Sequence, residues 1–383
     1  MPPPNLLRRT LIAGLLTSPT WSSAQVTPGV TDSEIVLGQS IYLTGALAEL
    51  GQDFTAGASA YFKKINDSGG VQGRRIRVIT LDDGYNPAKA KENTAEFERQ
   101  GVFSLWQYAG TGTVQEISKI AEEHQIPLVA AVATGPALRA LSRNWTFYVR
   151  AGNKEELKAI INHIDTTAVG IERAAVLYAD APYGREGLAE VEKAAAEKNK
   201  KIPGAVKINL NGDDAEAAAK ELQKLNPSAV IMVTAPASSK AFILQARKLG
   251  LKAQFYALNA AAPIGTLTEI GEGANGVIVC QIMPNVRNAA IAVVREFHQA
   301  MKALGQGKIS SASLEGYINA KVMVEGLRIA GRGLTRRKFV DALESMSYFD
   351  VGGMVIRYSR SNHEGSRFVD LSIVSDNGKR FVY

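Results

Sequence analysis

The segment Tyr108–Thr113, with the sequence Tyr-Ala-Gly-Thr-Gly-Thr, is the part of this chain best suited to bind a ligand. It connects an apolar run, Val102–Leu105, to a stretch with helical apolar spacing that begins at Val114. A glycine- and threonine-rich turn at a helix start presents N–H groups and hydroxyls to an anion, and the helix dipole favours negative charge there. The turn contains no lysine, histidine, cysteine or acid, so it can hold a ligand but not transform one. The alternative is structural, because Thr113 and Glu116 also fit a capping box, in which Thr113 only caps its helix.

Residues for catalysis or metal binding do not cluster in this sequence. No Walker lysine follows the glycine turn, and neither a G-x-S-x-G elbow nor an HExxH motif occurs. The pair Asp82-Asp83 could hold a cation, but two carboxylates before Asn86-Pro87 are more typical of acceptors for local backbone N–H groups. We therefore predict that the protein is not an enzyme and uses no metal or cofactor. The four histidines are far apart: His124, His163, His298 and His363.

Composition indicates an exported globular protein. The first 24 residues form a predicted signal peptide, with Arg8-Arg9, the apolar run Leu11–Leu16 and a small-residue cleavage site ending at Ala24. The arginine pair also permits twin-arginine export, but we favour the Sec route to the periplasm. The net charge of +7 falls to +5 when the two leader arginines are removed, and the basic residues are scattered, which argues against nucleic acid. The single cysteine, Cys280, excludes an internal disulfide and fits a buried apolar position.

Strand-like and helix-like segments alternate along the chain and predict an α/β protein with two doubly wound parallel-sheet lobes. The series breaks near Trp145–Asn153, late helices follow, and Gly353–Tyr358 with Arg367–Val374 suggests a closing hairpin. The predicted strands are Ile35–Ser40, Arg75–Leu81, Val102–Leu105, Pro127–Val132, Ala174–Tyr178, Ala205–Leu210, Ala229–Val233 and Gln254–Leu258.

Ligands of open α/β sheets bind beyond the carboxyl ends of the strands. Here those ends are rich in Tyr, Thr, Gly, Ser and Asn, which suits neutral hydrogen bonds and aromatic walls. Tyr42, Tyr108 and Tyr183 would suit a flat or aromatic ligand, or would only pack the rims of the lobes.

Several motifs, in their order and spacing, resemble the solute-binding proteins of branched-chain amino acid type ABC transporters, which have the type I periplasmic-binding fold. The resemblance implies two lobes joined by three hinge crossovers: 25–147 plus 283–347, and 148–282 plus 348–383. It also implies a monomer that closes on a small molecule and delivers it to an ABC permease in the inner membrane. The motifs are Leu43-Thr44-Gly45, Ser68-Gly69-Gly70-Val71-Gln72-Gly73, Leu81-Asp82-Asp83, Gly110-Thr111-Gly112-Thr113, Ile126-Pro127-Leu128-Val129, Tyr183-Gly184-Arg185-Glu186-Gly187 and Glu315-Gly316-Tyr317.

The resemblance also implies ligand-binding positions. A ligand carboxylate would meet Thr113 and Thr134 and the backbone near Tyr108, Ala109 and Val132, and the second lobe would contribute Tyr183. Members that bind α-amino acids place an acid where this chain has Asn259.

No Asp or Glu occurs from Lys252 to Thr268, and a buried ammonium without a counter-charge is costly. We therefore expect an aromatic or other organic acid rather than a branched-chain amino acid, unless Asp180 supplies the missing charge. The alternative function is a ligand sensor of the same fold that signals to a membrane partner.

Overall fold

The computed structural model describes Met1 and residues 27–45, 47–141, 144–305 and 307–382. Apart from Met1, the predicted signal peptide lies outside the described residues. Two large sheets, a small two-stranded sheet and the helices that cover the large sheets make up this part of the chain. None of its helices is both long and apolar enough to cross a membrane.

The first sheet has five parallel strands in the order β2-β1-β3-β4-β5. The inner strand β1 is buried along most of its length, which fits the apolar run Ile35, Val36 and Leu37 within it. The strands are β1 (Glu34–Ile41), β2 (Arg75–Asp82), β3 (Ser104–Trp106), β4 (Leu128–Val129) and β5 (Thr146–Phe147).

The second sheet repeats this order in its five parallel strands, β7-β6-β8-β9-β10, and adds two antiparallel strands beside β10. These strands are β6 (Ala174–Ala179), β7 (Gly204–Ile208), β8 (Ala229–Val233), β9 (Gln254–Ala257), β10 (Ile278–Gln281), β13 (Asp370–Ser375) and β14 (Arg380–Val382). The prediction of two parallel-sheet α/β lobes is confirmed.

Twelve helices in the described ranges cover the sheets and connect them. They are α1 (Ala48–Asp67), α2 (Pro87–Arg99), α3 (Thr111–Glu123), α4 (Pro136–Ala140), α5 (Asn153–Thr166), α6 (Pro182–Ala196), α7 (Ala215–Leu225), α8 (Pro236–Lys248), α9 (Ile264–Ile270), α10 (Ala292–Leu304), α11 (Ser311–Ala330) and α12 (Arg336–Glu344). The Asn86 side chain caps α2 by accepting from the N–H groups of Ala88 and Lys89, with Pro87 at the first helical position, as its sequence predicts.

The late helices α10 and α11 pack against α1 of the first lobe. Glycines allow α1 and α11 to approach closely, because a Cβ on Gly316 would lie 2.0 Å from the carbonyl oxygen of Phe54. The chain therefore passes between the two sheets three times: after β5, after β10, and before β13.

The two hydrophobic cores follow the two sheets. One extends from Ile35 to Ala151 and continues with Ile282–Tyr358, and the other comprises Leu157–Cys280 with Val374. Cys280 is fully buried in the second core as a free thiol. The lobe boundaries given above stay a prediction, and Val351 and Tyr358 belong by packing to the first core.

The predicted closing hairpin is wrong. Val355–Ile356 (β12) pairs with Phe349–Asp350 (β11), while β13 pairs with β10 and β14. Alternation does not identify a strand's partner, and β13 instead extends the second sheet beside β10.

Candidate functional site

The anion turn, which we define as Gly110–Thr113, lies at the carboxyl end of β3 and opens α3. Gly110 has a φ of 107°, in the region that favours glycine. The helix begins at Thr111 with Gly110 as its N-cap, so the capping-box interpretation of Thr113 is wrong: Thr113 is already inside the first turn. Within the described chain, neither its hydroxyl nor the N–H groups of residues 111–113 have a hydrogen-bond partner. This turn is therefore free to bind an anion.

The neighbouring strand end supports the turn. The N–H of Val132 donates to the Tyr108 carbonyl (2.8 Å), and the N–H of Gly110 donates to the Val132 carbonyl (3.0 Å). Ala109 and Val132 therefore hold the turn in place, and Val132 keeps no free backbone group for a ligand. Thr134 is half-buried two residues further on, and its carbonyl accepts from the N–H of Asn153 at the start of α5.

Three tyrosines, Tyr42, Tyr85 and Tyr183, form an aromatic wall around the turn. The rings of Tyr42 and Tyr85 meet edge to face, with centroids 5.4 Å apart. Tyr85 covers the turn, because a Cβ on Gly110 would lie 2.8 Å from its ring. Tyr183 comes from the other lobe, and burial followed by the proximity of Tyr85 raises its pKa to about 12. The wall thus includes residues of both lobes.

The expectation that the ring of Tyr108 could line the cleft is wrong. The side chain is fully buried inside the first lobe, and its hydroxyl lies 2.8 Å from the Thr94 hydroxyl. Tyr108 lies two residues after β3, where its side chain points into the lobe rather than across the cleft.

Asp82 and Asp83 organise the loop that carries Tyr85. Asp82 accepts from the N–H groups of Leu43 and Gly84, and Asp83 accepts from the N–H of Tyr85 and the hydroxyl of Ser40. The prediction that Asp82 and Asp83 accept hydrogen bonds from local backbone N–H groups is confirmed. In the described ranges, no group of three or more His, Cys, Asp or Glu side chains could hold a metal ion.

The cleft floor, which we define as Arg150, Glu315 and Asn259, joins the two lobes. The Arg150 guanidinium donates to the Asn259 side-chain oxygen (Nη2 to Oδ1, 3.2 Å), and its Nη1 lies 3.5 Å from a carboxylate oxygen of Glu315. Arg150 is only 6% exposed, so this ion pair is largely shielded from water. The position that the resemblance assigns to an acid is therefore occupied by an amide in contact with a cation.

Glu156 lies directly beneath the floor, in the first turn of α5. Its Oε2 accepts from the backbone N–H of Asn259 at 2.6 Å. Full burial raises the pKa of this carboxyl to about 7, opposed by the Asn259 hydrogen bond and then by Arg150 and Arg139. Burial likewise raises the pKa of Glu315.

Asp180 does not fit the role of a replacement acid. Its two carboxylate oxygens pair with Arg185 (2.9 Å) and Lys207 (3.2 Å) on the surface of the second lobe. An ammonium group would have to compete with both cations.

Arg139 holds two of the crossovers together. Its guanidinium donates to the carbonyls of Ala133 (2.8 Å) and Arg150 (3.1 Å), and lies 3.7 Å from Glu364 of the third crossover. The same group stacks 4.5 Å from the ring centre of Tyr148.

Sequence analysis missed Tyr85, Arg150, Glu156 and Arg139. The available signal was weak: Arg150 is a lone charge within an apolar stretch, and Glu315 was noticed only as part of a motif. Tyr85 follows the glycine of a strand-end turn, where its φ of 64° is unusual for a side chain of this size.

Two α/β lobes with matching strand order, facing strand ends and three crossovers define a two-lobed ligand-binding protein. The family model for periplasmic binding proteins matches residues 34–379, and the chain belongs to this family.

Several known proteins are similar to this chain in sequence or in fold. The chain is 24% identical over 250 residues to "Leu/Ile/Val-binding protein homolog 1" of Brucella abortus, covering 65% of this chain but only 66% of that relative. An extracellular ligand-binding receptor from Verminephrobacter eiseniae has 26% identity and a TM-score of 0.82, with 92% and 100% of the two chains covered. A solute-binding protein of an ABC transporter from R. palustris, solved in complex with benzoate, has 18% identity and a TM-score of 0.75 over 91% and 95% of the chains. This last likeness concerns the fold alone.

Proposed function

We propose that this protein is an exported solute receptor that closes on a small carboxylate-bearing ligand and delivers it to an ABC permease in the inner membrane. The ligand is an aromatic or other organic acid rather than a branched-chain amino acid. In this proposal the protein is a monomer, leaves the cytoplasm by the Sec route, and binds with Tyr42, Thr113, Thr134, Tyr183 and Asn259. The backbone at Ala109 belongs to the same site.

The observation that carries the ligand class is the contact between Arg150 and Asn259. A guanidinium 3.2 Å from the Asn259 oxygen would face the ammonium of an α-amino acid, and like charges in a shielded site repel strongly. The Glu315 carboxylate is already shared with Arg150, so its charge is largely compensated.

The anion turn and the aromatic wall support the same class of ligand, an organic acid. Free N–H groups in the first turn of α3 suit a carboxylate, and three tyrosines suit a flat apolar body beside it. The R. palustris protein of the same fold holds benzoate, an acid of this kind.

Thermal unfolding of the mature chain with added ligand tests the proposal. Benzoate and phenylacetate should raise the melting temperature, while leucine, isoleucine and valine should not. At a ligand concentration about a hundred times Kd, mass action predicts roughly 2.7 kcal/mol of added stability. Stabilisation by the three amino acids alone, or by no acid in the panel, would show that the ligand class is wrong.

The variant Thr113→Val tests the anion turn. Loss of a charge-assisted hydrogen bond should weaken benzoate binding by about 1–3 kcal/mol in calorimetry. The matched control is Thr268→Val in α9, whose hydroxyl donates to the backbone carbonyls of Ile264 and Gly378. Unchanged affinity in a folded Thr113→Val protein would remove Thr113 from the site.

A further inference from the structure

Three buried polar atoms at and beneath the cleft floor have no hydrogen-bond partner in the described chain. They are Nε of Arg150, Oε1 of Glu315 and Oε1 of Glu156. Leaving such atoms unpaired is unfavourable, and native structures rarely tolerate several in one network. A bound group that reaches the floor would supply partners to Arg150 and Glu315.

The floor is continuous with the anion turn. Tyr85 covers Gly110 and contacts Tyr42. The charges of Arg150 and Glu315 both act on the hydroxyl of Tyr42, so the floor lies near this hydroxyl. A ligand with its carboxylate in the turn and its body along the tyrosines would reach the floor with its opposite end.

The charges of the floor restrict which chemical group the ligand can carry at the end opposite its carboxylate. A second carboxylate would approach Glu315, and an ammonium group would approach Arg150, which already faces Asn259. A neutral hydroxyl avoids both repulsions, since its oxygen can accept from Arg150 while its proton goes to Glu315.

We propose that Arg150, Glu315 and Asn259 form a dipolar subsite that takes a neutral hydrogen-bonding group of the ligand, above all a hydroxyl, at the end opposite its carboxylate. This inference rests on the proposed function and narrows it to hydroxylated organic acids, with hydroxybenzoates as the simplest aromatic examples.

Calorimetry with a ligand series tests the subsite in the mature wild-type protein. The series is benzoate, the 2-, 3- and 4-hydroxybenzoates, terephthalate and 4-(aminomethyl)benzoate. The best hydroxybenzoate should bind about tenfold more tightly than benzoate, as expected for one hydrogen bond to a charged group. The dicarboxylate and the ammonium compound should both bind more weakly than benzoate.

The variant Glu315→Gln keeps the shape of the floor and removes its negative charge. We expect the gain from the hydroxyl to fall to about threefold or less, because its proton loses the charged acceptor and only the bond from Arg150 remains charged. Glu325→Gln, the same change on the outer part of α11 where Glu325 faces Arg328, should keep the full gain.

The outcomes separate the two proposals. If benzoate binds but no hydroxybenzoate binds more tightly, or if terephthalate binds best, the dipolar subsite is wrong and the proposed function stands. If no aromatic acid binds, the aromatic ligand assumed in both proposals is wrong. The wild-type series decides the question even if Glu315→Gln does not fold.

Discussion

Replacement of Glu156 by glutamine should change how stability depends on pH. The carboxyl has a pKa of about 7 in the folded protein, against an ordinary value of 4.5. Between these values the folded state binds more protons than the unfolded state, so the free energy of unfolding falls as pH rises. The contribution of Glu156 is fully present below its ordinary pKa and is lost as pH rises through about 7. The pKa difference corresponds to a loss of up to about 3 kcal/mol.

Glutamine can still accept from the N–H of Asn259 but cannot ionise. Urea unfolding of the mature, ligand-free protein from about pH 5 to about pH 8, followed by circular dichroism, measures the effect. Near about pH 8, Glu156→Gln should be more stable than wild type by up to about 3 kcal/mol. Near about pH 5, the two proteins should have similar stability. Some slope should remain, because burial also raises the pKa of Glu315, Glu364 and Asp83.

The control is Glu192→Gln, at an exposed position of α6. It should follow the wild-type curve throughout. If Glu156→Gln has the same pH slope as wild type, Glu156 is ionised in the folded protein at neutral pH, and our account of its burial is wrong.

Two further substitutions test the anion turn and the aromatic wall. Gly110→Ala should weaken benzoate binding by about 1–3 kcal/mol in calorimetry, because alanine is strained at this φ and its methyl group would press on the ring of Tyr85, 2.8 Å away. Gly265→Ala, where the added methyl meets nothing within 4 Å, is the control, and equal affinities in both variants would contradict the role of the turn. Tyr85→Gly should relieve the strain of a positive φ while removing an aromatic wall. We expect a melting temperature no lower than wild type with affinity for benzoate at least about tenfold weaker, and unchanged affinity would exclude Tyr85 from the site.

The helices and strands could be predicted because the spacing of apolar residues indicates which face of an element is buried. The predicted strand Ala229–Val233 coincides with β8, and Asn86-Pro87 opens α2 as expected. Strand ends then indicate the binding edge, because parallel strands bring their carboxyl ends together. This reasoning found the anion turn and two of the three wall tyrosines.

The cleft floor could not be predicted for a physical reason. Arg150, Glu156 and Glu315 come from a crossover, the start of α5 and the second turn of α11, and only the packing of these separate elements brings them together. No local pattern distinguishes a buried ion pair from two solvated charges. Tyr108 is a residue that was proposed for the site but whose ring lies elsewhere. Its position at a strand end was predicted correctly, but alternation along the chain directs its ring into the lobe.

Arg139 has a consequence for the proposed opening and closing of the cleft. Because its guanidinium binds the Arg150 carbonyl and faces Glu364, the first and third crossovers are tied to each other and to the first lobe. Opening must instead separate the contacts that span the cleft, such as Arg150 with Asn259 and the Ala137 N–H with Glu186 (3.4 Å). The axis of rotation should therefore run close to Arg139, with the largest displacements at the cleft mouth and almost none beside Tyr148.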